Sequence, residues 1–123
     1  MKAVRISEAE WQVMSVVWRQ SPVAAGDIVE ALSQRRGWHS RTIRTLLDRL
    51  VKKGALKTAP DGKRFLYEPR LSMEECVRQE SQSFLERVFG GEPASMLLHL
   101  VKESKLSKEE IKELKRLLAE KEK

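Results

Sequence analysis

The stretch HSRTIRTLLDRLVKKG, residues 39–54, constrains the fold more than any other part of the chain. Ile43, Leu46, Leu47, Leu50 and Val51 recur at the i, i+3, i+4, i+7, i+8 spacing that gathers side chains on one side of an α-helix. The other side carries Arg41, Thr42, Arg44, Thr45, Asp48, Arg49 and Lys52. One face must leave water and the other must stay in it. The segment therefore predicts a helix laid on a core, with a cationic, hydroxyl-rich outer face. Ser40 is a fitting N-cap and Gly54 a fitting stop.

The charge of the chain gathers around this helix. Residues 1–70 hold 14 Lys and Arg against 7 Asp and Glu, while residues 71–123 hold 10 against 11. Residues 35–64 alone carry 10 cations against Asp48 and Asp61. A basic patch confined to one region makes a polyanion a fitting partner for that region. Cys76 is the single cysteine, which excludes an intrachain disulfide and suits a reducing compartment. With neither a secretory leader pattern nor a run of membrane-spanning length, a cytoplasmic protein is expected.

The flanking segments supply the rest of an architecture. SEAEWQVMSVVWRQ opens on the capping-box pair Ser7 and Glu10 and points Trp11, Met14, Val17 and Trp18 inward, ending at Ser21-Pro22. AAGDIVEALSQRR offers Ile28, Val29 and Leu32 to the core and stops at Gly37. ALKT and RFLYE are short extended runs on either side of Pro60-Asp61-Gly62, a turn signal. Phe65 and Tyr67 share one face of the second run. From Ser72 onward the pattern is helical, in three segments, with further capping pairs at Ser72/Glu75 and Ser107/Glu110. The predicted fold is mainly α with a small β-wing. A winged helix-turn-helix occupies residues 1–70 and an α-helical dimerisation region follows over residues 71–123.

The order of helices and hairpin matters more than any one of them. A basic amphipathic helix alone is usually an ordinary solvated face. Placed third, before a basic hairpin, it suits the major groove of double-stranded DNA, where arginine grips guanine and threonine meets a base edge or a thymine methyl. Ser40, Arg41, Thr42, Arg44 and Thr45 lie at the end expected to enter the groove. Arg49, Lys52 and Lys53 fall later and suit phosphates or solvent, and Lys63 and Arg64 at the wing tip suit a flanking phosphate or the minor groove. Asp48 is expected to face an arginine. Trp38 either packs on the core or offers its indole N–H to a phosphate. His39, His99 and Cys76 are not at metal-ligand spacing, and no catalytic or nucleotide-binding motif occurs, so neither metal, cofactor nor enzymatic activity is expected.

SEAEWQVMSVVW, DIVEAL, HSRTIRTLLDRLVKKGAL, GKRFLYEP and LSKEEIKELKRLL, in that order, resemble the penicillinase-repressor family of BlaI/MecI type, which also includes copper-responsive repressors. The resemblance implies a homodimeric transcriptional repressor whose winged helix binds a palindromic operator and whose C-terminal helices form the dimer. The residues agree with this. Val77, Phe84, Leu85, Val88, Leu97, Leu98, Val101, Ile111, Leu114, Leu117 and Leu118 are more apolar surface than three short helices can hide, and a second copy would cover it. Copper-responsive members carry a C-terminal cysteine cluster that this chain lacks, so copper sensing is not expected. Antibiotic-responsive members are cut at an Asn-Phe bond in the dimerisation region. The resemblance places that bond at His99-Leu100, with different residue types, and implies a membrane-sensor protease as a further partner. The competing readings are a small-molecule-sensing winged-helix regulator and a protein-interaction adaptor that leaves DNA alone. The strongly basic third helix favours DNA.

Overall fold

The computed structural model describes residues 4–123. Its elements are α1 (Glu8–Gln20), β1 (Val23–Ala24), α2 (Ala25–Arg36), α3 (Ser40–Lys53), β2 (Leu56–Asp61), β3 (Arg64–Pro69), α4 (Met73–Phe89), α5 (Pro93–Glu103) and α6 (Lys108–Lys121). The chain forms two compact units, one ending at Ser81 and one spanning Gln82–Lys123. The hairpin ends near residue 70, where a change of domain was expected. The first unit runs further because Cys76, at the end of the first turn of α4, is buried in its core.

Both halves of the predicted capping box start α1: Glu10 N–H donates to Ser7 Oγ at 3.1 Å and Ser7 N–H donates to Glu10 Oε1 at 2.8 Å. Val13, Met14, Val16 and Val17 fill the core from this helix. Trp11 and Trp18, expected inside, are only half-buried. They meet edge to face at 5.3 Å. The Trp18 indole N–H donates to the Leu71 carbonyl at 2.9 Å, the kind of partner a partly buried tryptophan needs. Ile28 and Leu32 anchor α2, and Gly37 ends it with a φ of +66° that disfavours any side chain. Ile43, Leu46, Leu47 and Leu50 are all buried, which fixes the rotation of α3 about its own axis.

The sheet is antiparallel with order β1-β3-β2. β1 is a strand that the sequence reading does not contain, since two residues are too short to show alternation; Val23 pairs with Tyr67 and Ala24 with Leu66. The turn also differs from expectation. Pro60 and Asp61 belong to β2, opposite Phe65 and Arg64, so the loop is Gly62-Lys63. Gly62 takes a φ of +64° and Lys63 does not go positive, the glycine-first pattern of a type II′ hairpin. Pro60 is tolerated because β2 lies at the sheet edge, where a missing N–H breaks no ladder.

Glu10 and Lys53 depart furthest from their predicted surroundings. The Glu10 side chain is fully buried, and Lys53 Nζ reaches it at 2.6 Å while also donating to the Arg5 carbonyl at 2.8 Å. Lys53 therefore ties the end of α3 to the start of α1 and is not free to meet phosphate. Burial pushes the Glu10 carboxyl up, but hydrogen bonds from Lys53 and Ser7 outweigh it and hold the group below its ordinary 4.5. Its other oxygen is buried with no partner among the described residues, so Lys53 is its main source of compensation.

In the second unit, Phe84 and Phe89 pack at 6.0 Å and Phe89 and His99 at 6.1 Å. Ser107 and Glu110 cap α6 as predicted. No residue of α5 or α6 is buried. Phe84, Val88, Leu97, Leu98, Leu100, Val101, Ile111, Leu117 and Leu118 are each 39–61 % exposed, and Leu85 and Leu114 are half-buried. Among the described residues no helix is long and apolar enough to cross a membrane.

Lys53→Met leaves the Glu10 carboxylate buried without its cation and is expected to destabilise the protein by about 2–3 kcal/mol at neutral pH, read from denaturant midpoints. Because folding lowers the Glu10 pKa, the pair's contribution is present above 4.5 and fades as pH falls through and below it. The gap between wild type and variant should narrow over that acid range. A gap that held constant down to low pH would show that the carboxylate is not its source.

Candidate nucleic-acid interface

The outward face of α3 is where the sequence placed it. Arg41, Thr42, Arg44, Thr45, Arg49 and Lys52 are all exposed. The core residues between them alternate with these at helical spacing, so burying one set presents the other. Asp48 is exposed too but forms no ion pair among the described residues, contrary to the expectation that it would face an arginine. The Thr45 hydroxyl donates to the Arg41 carbonyl at 2.9 Å. Its proton is spent there, which leaves a lone pair and a methyl group for an incoming ligand.

The helix begins differently from expectation. Ser40 is its first residue, exposed, and not its cap. His39 is extended, with φ −70° and ψ 144°, and its Nδ1 accepts the Arg41 N–H at 3.2 Å. The imidazole nitrogen reaches the N–H two residues on, as a capping oxygen would, and the chain enters the helix one residue earlier than a serine cap would allow. Trp38 is half-buried against the core, with its carbonyl accepting from Ser33 Oγ at 3.0 Å. Trp38 therefore packs on the core, and its indole N–H makes no hydrogen bond among the described residues.

Wing and helix converge on a groove of about 410 Å³ lined by Ala24, Ala25, Gly26, Asp27, Arg44, Arg64, Phe65 and Tyr67. It brings together Arg44 of α3 and Arg64 of β3, two of the predicted contacts. Arg64 is held by Asp61 at 3.1 Å, which fixes the guanidinium beside the hairpin loop. Lys63 stands exposed in that loop. Phe65 remains exposed on the wing, and Tyr67 lies deeper. Burial pushes the Tyr67 phenol above its ordinary 10.0, the nearby Asp48 carboxylate pushes it further, and Arg44 opposes both. Residues 24–27 were missed as part of this surface. Their signal was weak: a helix start whose cap, Ala24, makes no side-chain hydrogen bond. Among the described residues no group of three or more His, Cys, Asp or Glu is placed to hold a metal ion. Burial pushes the Cys76 thiol up, with Glu75 and Glu80 adding to it, so this cysteine is a poor nucleophile.

The sequence and the architecture are matched by known proteins. The family model for the penicillinase repressor matches residues 6–120. The chain belongs to the penicillinase repressor family. It is 39% identical over 119 residues to the penicillinase repressor of Bacillus licheniformis, covering 97% of this chain and 93% of that protein. It is 36% identical over 120 residues to the methicillin resistance regulatory protein MecI of Mammaliicoccus sciuri, covering 98% of each. A solution structure of the Bacillus licheniformis BlaI monomeric form in complex with the blaP half-operator matches 61% of this chain and 93% of its own, at 38% identity and a TM-score of 0.54. Penicillinase repressors are regulators of transcription and not enzymes, which accords with the missing catalytic motifs.

Tyr67 is the single tyrosine, so its ionisation can be followed directly by tyrosinate absorbance. Its midpoint is expected above 10.0, to fall in Asp48→Asn and to rise in Arg44→Met. Midpoints unmoved by both substitutions would mean that neither charge acts on Tyr67.

Proposed function

We propose that this repressor acts as a homodimer on an operator with dyad symmetry, one α3 entering the major groove of each half-site. The carrying observation is the division of α3: Ile43, Leu46, Leu47 and Leu50 are buried while Arg41, Thr42, Arg44 and Thr45 stand in solvent. Arg41, Thr42, Arg44 and Thr45 read bases. Ser40, Arg49, Lys52, Lys63 and Arg64, with the Trp38 indole N–H, hold phosphates. Residues 1–70 supply the DNA contacts and residues 71–123 the dimer. The exposed apolar side chains of α5 and α6 support the second assignment, since burying a leucine contributes about 1.5–3 kcal/mol and a second copy offers matching surface. The half-operator bound by the relative's monomeric form supports a two-part site. Repression then requires occupancy alone.

Induction proceeds by proteolysis at His99-Leu100 by a membrane-sensor protease. Both residues lie inside α5, and the Leu100 carbonyl accepts the Ser104 N–H at 3.0 Å. A protease takes its substrate extended, so α5 must open before cleavage. A helix with no buried residue opens at low cost. Cutting there separates the last part of α5 and all of α6 from the DNA-binding unit.

A duplex selected by the protein from random oligonucleotides should carry an inverted repeat. On it, Arg44→Ala is expected to cost about 1–3 kcal/mol and to relax one position of the sequence preference. Lys63→Ala should weaken selected and unrelated duplexes alike and reduce the slope of log K against log salt by about 0.9. Selection of a sequence without dyad symmetry, or the same behaviour in both variants, would contradict the assignment. Incubation with membranes carrying the induced sensor should yield fragments ending at His99 and starting at Leu100. An intact chain would exclude this route.

A further inference from the structure

We propose that Phe65 of the wing is a specificity-determining residue, its ring packing on a thymine methyl beside the base pair that Arg44 reads. The proposal rests on the reading that α3 enters the major groove. Phe65 is 58 % exposed, and among the described residues before Met73 every other large apolar side chain is buried or half-buried. The register of the sheet explains why. β1 reaches only to Ala24, opposite Leu66, and Ala25 has already turned into α2. The strand that flanks Tyr67 therefore stops short of Phe65. On the other side Phe65 pairs with Pro60 of the edge strand β2.

Phe65 and Tyr67 leave β3 on one face, by the alternation of a strand, and both line the groove shared with Arg44 and Arg64. Ala24, Ala25 and Gly26 also line it and carry no side chain larger than a methyl group. A Cβ added at Gly26 would meet nothing within 4 Å, so the space there is open. A phenyl ring offers a phosphate neither charge nor a strong donor. What rewards it on a base pair is the C5 methyl of thymine, which stands in the major groove, where Arg44 is assigned. Base pairs stack about 3.4 Å apart, so two side chains lining one groove of this size meet neighbouring pairs. Arg44 reads by hydrogen bonds, and Phe65 reads by burying a methyl group.

The test uses the full chain and a duplex selected from a random library. Each thymine is replaced in turn by uracil, which removes the methyl and keeps the hydrogen-bonding edge. In wild type, one thymine in each half-site should lose about 4-fold in affinity, the worth of one buried methyl-sized group. It should lie within about two base pairs of the position whose preference Arg44→Ala relaxes. In Phe65→Ala the loss should vanish at this thymine and persist at any other thymine that shows one. Phe65→Leu keeps an apolar side chain and should keep part of it. No such thymine in wild type, or the same loss there in Phe65→Ala, would overturn the proposal. So would a Phe65→Ala protein weakened equally on selected and unrelated duplexes, which would assign the ring to the sugar-phosphate backbone. Each of these results leaves the α3 reading intact. Failure to select any preferred sequence would sink the α3 reading and this proposal with it.

Discussion

Ile43, Leu46, Leu47 and Leu50 hold α3 from one side only, and the rest of the interface depends on that one-sided burial. At about 1.5–3 kcal/mol for each fully buried side chain, four of them contribute on the order of 6–12 kcal/mol. That is comparable with the whole net stability of a domain, about 5–15 kcal/mol. The helix cannot rotate to hide Arg44 or Thr45 without losing this burial. The outward pattern is thus set by the core, and the arginines on that face are left in solvent without having to contribute to folding.

Both ends of the helix are fixed as well, by different chemistry. Lys53 is drawn inward by a fully buried carboxylate, so one of the cations counted in the basic region serves the fold. His39 closes the other end, its Nδ1 accepting the Arg41 N–H. Between these anchors the exposed cations divide into Arg41 and Arg44 in the first turns and Arg49 and Lys52 further along. The wing joins through the groove shared by Arg44 and Arg64, where the Asp61 carboxylate steadies the second guanidinium.

Strong periodicity made the helices legible. The stripe of residues 39–54, the capping boxes at Ser7 and Ser107, and the glycine stops at Gly37 and Gly54 are local signals, and each corresponds to an observed feature. The features that escaped depend on contacts between segments far apart in the chain. β1 exists only because Val23 and Ala24 meet Tyr67 and Leu66. Glu10 has the spacing of a capping residue and fills that role, but only the packed α1 and α3 reveal that it is buried against Lys53. Ser40 outranks histidine as a cap by propensity, and the backbone geometry at residue 39 decided otherwise. The wing was recognisable as a hairpin, while the positive φ of Gly62 moved its loop beyond the proline.

Methylation interference on the selected duplex tests the account most directly, because guanine N7 lies in the major groove and adenine N3 in the minor. Two copies reading two half-sites predict N7 interference in two major-groove segments on one face of the duplex, centred about one helical turn or a multiple apart. Interference confined to adenine N3, or to a single segment, would contradict it.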